Sequence, residues 1–90
     1  MIKVAVDIES ELVAAGCSLH ADAEQVLLKQ GSQQKNIWGA NYFPFKNKGQ
    51  RLEYSALMNI RPRQGNNSQL INNSSIQKKI KEIMSNYFEL

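Results

Sequence analysis

The chain has 90 residues, 42% of which are hydrophobic, and a formal net charge of +3 at pH 7. This length is that of a single domain, so we predict one domain over residues 1–90 and exclude a multidomain arrangement. The one cysteine, Cys17, excludes an intrachain disulfide. No apolar run is long enough for a membrane span or a signal peptide, so we expect a cytoplasmic protein without membrane contact.

The charge is divided unevenly along the sequence. Residues 1–24 carry one basic and five acidic side chains, a net charge of −4, whereas residues 25–90 carry ten basic and three acidic side chains, a net charge of +7. Such asymmetry is typical of a surface that binds anions. A dipolar surface without any partner is an equally good interpretation.

The first half of the chain predicts a hairpin followed by a short helix. Residues 2–7 alternate as in a half-buried strand, and a second apolar run, 12–15, follows a polar turn. Asp22 then has the features of a helix N-cap, with Gln25 in the capping-box position. Gly31 predicts the end of this helix.

The second half predicts two more strands and a closing helix. Residues 37–45 are aromatic and strand-like. Residues 51–61 alternate apolar and polar side chains, which predicts the longest strand, and Pro62 ends it. A polar loop then leads to an amphipathic helix that begins at a second capping box, Ser74 with Gln77.

These elements predict an α+β fold in ββαββα order, with a small antiparallel sheet and both helices packed on one of its faces. Within the long strand, the alternation assigns Ile60 to the core face and assigns Asn59 and Arg61 to the polar face. An exposed long strand and a small core favour a homodimer.

Three segments resemble a family of small bacterial proteins classed as a domain of unknown function. They are G-C-S-L-H-A-D-A-E at residues 16–24, I-W-G at residues 37–39 and N-I-R-P-R-Q-G-N at residues 59–66. The resemblance implies a shared fold. It implies no activity, because none is established for that family.

The loop after the predicted long strand is the strongest candidate for a binding site. Arg61 and Arg63 can bind phosphate or carboxylate, and backbone N–H groups at Gly65 and Asn66 favour anions when they are exposed. Asn59 lies on the same polar face, and an aromatic ring can stack on a nucleobase. The predicted ligand-binding residues are Arg61, Arg63, Asn59, Asn66 and Trp38. The alternative is that Arg61 pairs with Glu53 or Asp22 and only organises the loop, while Trp38 packs in the core or at the sheet edge.

His20 is the only histidine and is the candidate for acid–base chemistry, together with Asp22 and Glu24. The spacing His-x-Asp-x-Glu places successive members on different sides of a helix, and Asp22 is already explained as a cap. We therefore predict no metal site. The sequence has no phosphate loop, nucleophile elbow or paired-cysteine zinc motif, so we predict no cofactor.

Three functions remain open on the sequence alone. The favoured one is a binding module whose Arg61–Asn66 loop engages a phosphorylated metabolite or a nucleic acid. The second is a small hydrolase that uses His20 with Arg61 or Arg63, which requires these side chains to lie close together. The third is a structural or interaction protein without a ligand, in which the same residues only brace the loop.

Overall fold

The computed structural model describes all 90 residues and contains four strands, two α-helices and three short 3₁₀ helices. The strands are β1 (Ile2–Asp7), β2 (Leu12–Cys17), β3 (Ile37–Tyr42) and β4 (Leu52–Glu53). The α-helices are α1 (His20–Lys29) and α2 (Ser74–Met84), and the 3₁₀ helices cover Gln34–Asn36, Leu57–Asn59 and Pro62–Gln64. Neither α-helix combines the length and the apolar character that crossing a membrane requires. The predicted α+β class and antiparallel sheet are confirmed.

The sheet has the strand order β2-β1-β3-β4, and every pairing in it is antiparallel. β1 and β2 form the predicted hairpin. β3 pairs with β1 from Ile37, opposite Asp7, to Tyr42, opposite Ile2. β4 pairs only with Asn41 and Tyr42, so the rest of the outer edge of β3 has no neighbouring strand.

The two α-helices pack on opposite faces of the sheet, so the prediction that they share one face is wrong. α1 packs against a cluster that includes Ala5 and Ile37, whereas α2 packs against a cluster that includes Val4 and Trp38. Successive residues of β1 and β3 therefore face different helices. Every residue of β3 is buried, so both faces of the sheet are covered, whereas the alternation of apolar and polar residues predicts one covered face.

The long strand predicted over residues 51–61 is wrong beyond Glu53. A 3₁₀ helix at Leu57–Asn59 interrupts the alternation. As a result Asn59 is 0% exposed and Ile60 is 44% exposed, the reverse of the predicted arrangement. The homodimer was expected because of this long strand, so that argument for a homodimer no longer holds.

The helix caps differ slightly from the predicted ones. α1 begins at His20, so Asp22 lies in its first turn and is not its N-cap. A carboxylate in that turn still interacts favourably with the helix dipole. Asn73, not Ser74, caps α2, because its side-chain oxygen accepts two backbone N–H groups of the first turn.

Candidate functional site

The uncovered edge of β3 is closed by the side chain of Asn59. Its Oδ1 accepts the N–H of Gly39 at 2.8 Å, and its Nδ2 donates to the carbonyl of Gly39 at 2.9 Å. This pair of bonds copies the two that an antiparallel neighbour would make with Gly39. The same Nδ2 also donates to the carbonyl of Gln69 at 3.1 Å, which fixes the next loop to the sheet.

Arg61 continues this closure toward the start of β3. Its guanidinium donates to the carbonyl of Ile37, to that of Gln34 at 3.0 Å and, through Nε, to that of Met58 at 3.0 Å. The residue is only 7% exposed. Most donors of Arg61 are therefore occupied within the chain, and its side chain joins the sheet edge to the first 3₁₀ helix.

The charge of Arg61 is balanced inside the fold. The Glu24 carboxylate on α1 lies 3.8 Å from Nη2, and the ring of Trp38 lies 4.6 Å from Cζ. Burial lowers the pKa of the Arg61 guanidinium from its ordinary value, and Glu24 opposes this shift. The partner that the sequence suggested, Glu53 or Asp22, is therefore wrong. Glu53 instead accepts a hydrogen bond from Asn41 at 2.9 Å.

Asn66 holds the following loop in place. Its Nδ2 donates to the carbonyls of Asn59 at 2.7 Å and Leu70 at 3.1 Å, and its Oδ1 accepts the N–H of Asn72 at 2.8 Å. The backbone N–H groups of Gly65 and Asn66 donate to carbonyls of residues 61 and 62. The expected anion nest at these two amides is therefore wrong, because the loop itself uses both donors.

Arg63 is the one predicted binding residue of this loop that is exposed. It lines an open cleft of about 360 Å³ together with Gln34, Arg61, Pro62 and Gln64, and none of these residues is acidic. Gln64 Nε2 donates to the carbonyl of Lys35 at 3.0 Å, which ties the two 3₁₀ helices that border the cleft. The Arg63 side chain thus projects from a loop whose backbone is firmly anchored.

His20 lies in a different cavity. Its Nε2 is 2.9 Å from the carbonyl oxygen of Ala40, and it lines a cavity of about 310 Å³ with Lys3, Leu19, Ala21, Leu57 and Met58. Arg61 and Arg63 do not line that cavity. The structure therefore does not gather His20 and the two arginines around one pocket.

The three acid–base candidates separate as the helical spacing predicts. Asp22 is exposed, whereas His20 and Glu24 lie one turn apart. His20 contacts the carbonyl of Ala40 in β3, and Glu24 contacts Arg61. No group of three or more His, Cys, Asp and Glu side chains is placed to hold a metal ion.

The sequence predicts no role for Gly39 and predicts acid–base chemistry for Glu24, whereas the structure places both residues in the edge closure. Gly39 supplies the backbone groups that Asn59 binds, and a Cβ there would lie 2.6 Å from Cβ of Ala56. Helical periodicity could have identified Glu24, because it follows the buried Ala23 and precedes the buried Leu27 by three residues. No local signal could have paired Asn59 with Gly39, which lies 20 residues away.

A family model described as "Protein of unknown function (DUF5674)" matches residues 1–87. The chain belongs to this family. The predicted family relationship, to a domain of unknown function, is therefore confirmed. Searches of curated proteins and of solved structures found no significant match. Membership of this family of unknown function assigns no chemistry to any residue.

Proposed function

We propose that this protein is a non-catalytic binding module for a small phosphate-bearing ligand, which Arg63 contacts in the cleft of residues 34 and 61–64. The observation that carries the proposal is an exposed guanidinium beside two amide side chains, Gln34 and Gln64, in a cleft without acidic residues. Guanidinium and amide N–H groups donate hydrogen bonds to phosphate oxygens in proteins.

The buried residues of the loop support the same proposal indirectly. Arg61 and Asn66 hold the backbone around Arg63 through hydrogen bonds with carbonyls of other segments. A rigid loop loses less conformational entropy when it binds a ligand. Arg61 thus belongs to the support of the site, and Arg63 is the residue expected to contact the ligand.

A small ligand fits the cleft better than a nucleic acid does. The cleft is local, at about 360 Å³, which is the size of a small-molecule pocket. Among the lysines, which do not line the cleft, three at positions 78, 79 and 81 lie on α2. This helix packs on the face of the sheet opposite α1. One of them, Lys79, lies 3.7 Å from Glu11, so its charge is already partnered.

The hydrolase alternative receives no support from the geometry, because His20 and Arg63 line separate cavities. A general acid or base has to reach the reacting group directly or through one water. The proposed module therefore binds its ligand and does not transform it.

The proposal is tested by titrating the ¹⁵N-labelled protein with inorganic phosphate and with a sugar phosphate at low salt. We expect saturable shifts at the amides of Gln34, Arg63 and Gln64. Arg63→Ala should weaken binding by about tenfold or more, since a hydrogen bond to a charged group contributes about 1.5–3 kcal/mol. Lys78→Ala removes one exposed positive charge from α2 and is the matched control.

Two results would contradict the proposal. One is the absence of saturable shifts in the cleft. The other is an equal loss of affinity in Arg63→Ala and Lys78→Ala, which would indicate unspecific charge attraction. A single-stranded oligonucleotide added as a third probe separates the ligand classes. Strong, steeply salt-dependent binding of the oligonucleotide alone would replace the small ligand by nucleic acid.

A further inference from the structure

The two edges of the sheet are finished in different ways. The outer edge of β3 is covered by β4, Asn59 and Arg61. β2 forms the other edge, and its residues make no backbone hydrogen bond except those that pair it with β1. The outward N–H and C=O groups of β2 are therefore free to pair with another strand.

The sequence of β2 lacks the charged side chains and the proline that often prevent such pairing. Its residues, L-V-A-A-G-C, include no charge and no proline. Leu12 is 37% exposed, and Ala15 is exposed as well. Gly16, with a φ of 85°, is unpaired at a bulge, so the regular part of the edge runs from Leu12 to Ala15.

The charges at the two ends of β2 are opposite. Glu9 and Glu11 lie in the hairpin turn just before the strand, where Glu11 also contacts Lys79 of α2 at 3.7 Å and Glu9 makes no ion pair. At the other end, Lys3 Nζ donates to the carbonyl of Ser18 at 2.8 Å, immediately after the strand. An antiparallel pairing of two identical β2 strands brings the acidic end of each copy to the basic end of the other.

We infer that a second copy of this chain is the partner of β2, and that the two copies form a homodimer with one continuous sheet across a two-fold axis. The free backbone groups supply the association, and the Glu9 and Glu11 to Lys3 contacts select the antiparallel direction. This interface is separate from the cleft of Arg63. A test of the dimer is therefore independent of a test of the proposed ligand site.

Sedimentation equilibrium of the full chain over a range of concentrations tests the dimer. We expect a concentration-dependent monomer–dimer equilibrium in the unsubstituted chain. Ala15→Lys should raise the dimer dissociation constant by at least about tenfold, because a lysine on an edge strand opposes its pairing with a second strand and the two-fold axis places two such charges in one interface. Gln50→Lys adds the same charge in an exposed loop next to β4 and should leave the dissociation constant unchanged.

A charge exchange tests the direction of pairing. Lys3→Glu and Glu11→Lys should each weaken the dimer, and the double variant should recover most of the lost affinity, because the two contacts are restored with their signs reversed. Lys79→Ala is measured alongside, since Lys79 contacts Glu11 within one copy. Circular dichroism and thermal melting establish that each variant is folded.

Hydrogen exchange identifies the surface. The outward amides of residues 12–15 should exchange more slowly as protein concentration rises, while the amides of the exposed residues Asn47 and Lys48 should not change. A monomer at every concentration would overturn the inference. A dimer that is unaffected by Ala15→Lys and shows no added protection in β2 would overturn it equally, because another surface would then hold the copies together.

Discussion

At the scale of single residues, Asn59 shows how one side chain can take the place of a strand. Its amide has a donor and an acceptor in the same plane, so it can satisfy both backbone groups of Gly39 at once. A hydrophobic residue at this position would leave those groups buried without partners, which is unfavourable. The polarity of Asn59 is therefore required by the fold, although a polar residue near two arginines also suggests a binding site.

Asn59→Ala should lower the free energy of unfolding by about 3 kcal/mol, because the buried N–H and C=O of Gly39 lose their partners. Urea denaturation measures the change. Asn67→Ala, at an exposed asparagine whose side chain makes no hydrogen bond, should stay within about 0.5 kcal/mol of the parent and serves as the control. Equal effects of the two substitutions would show that Asn59 does not close the sheet edge.

Asn59→Asp separates hydrogen bonding from shape. The carboxylate keeps the acceptor for Gly39 N–H but faces two carbonyl oxygens, so burial and repulsion should raise its pKa in the folded state. Stability linked to a raised pKa is present at low pH and is lost as pH rises through the folded pKa. We expect the deficit of this variant relative to the parent to be larger at pH 7 than at pH 5. A deficit that does not change between these values would contradict the assigned contacts.

At the scale of elements, the sequence predicts the parts that local periodicity controls. The hairpin, α1, β3 and α2 follow from alternation and helical spacing, and the structure contains all four. The segment from Tyr54 to Asn66 was misjudged because long-range contacts control it. Asn59 is buried by its bonds to Gly39, 20 residues earlier, and Arg61 by its bond to Ile37, 24 residues earlier. Alternation carries no information about such contacts. The sequence therefore predicts ligand binding for the polar residues of this loop.

The packing of β3 against the second 3₁₀ helix depends on the small size of Gly39. A Cβ at this position would lie 2.6 Å from Cβ of Ala56 and 3.0 Å from Sδ of Met58. Gly39→Ala should therefore cost about 1–3 kcal/mol of stability. Ala56→Gly removes the nearest clashing atom, so the double variant should be more stable than the sum of the single effects predicts.

Gly49 provides the matched control for this pair. It lies in an exposed loop with a φ of 87°, and no atom lies within 4 Å of an added Cβ. Gly49→Ala should lose stability only through backbone strain, and its effect should add to that of Ala56→Gly. Coupling of Ala56→Gly with Gly49→Ala, or its absence with Gly39→Ala, would show that the close contact at Gly39 does not limit packing.

At the scale of the whole molecule, the sheet is a layer between the two α-helices. Polar residues at the ends of its strands fix the turns that join the elements. Asp7 lies at such an end and is 1% exposed. Its Oδ1 accepts the N–H of Glu9 at 2.9 Å and of Ser10 at 3.0 Å, which fixes the hairpin turn. Burial alone would raise the pKa of the Asp7 carboxyl. The hydroxyl of Ser32, beyond the end of α1, and the turn N–H groups lower it below its ordinary value instead.

This depressed pKa makes the stability of the whole fold depend on acid pH. Because the folded-state pKa lies below the unfolded value of about 3.9, the contribution of the Asp7 carboxylate is present above about pH 4 and is lost as pH falls through the folded pKa.

Asp7→Asn keeps the acceptor oxygen but not the charge, so it should be less stable than the parent at pH 7 by about 1–2 kcal/mol. The difference should shrink steadily below pH 4, as followed by urea denaturation at each pH. Asp22→Asn removes an exposed carboxylate that accepts no hydrogen bond and loses only a helix-dipole interaction of about 0.3–1 kcal/mol, so its deficit at pH 7 should be smaller than that of Asp7→Asn. A constant gap between Asp7→Asn and the parent down to pH 2 would mean that the turn is held by shape and not by the charge of Asp7.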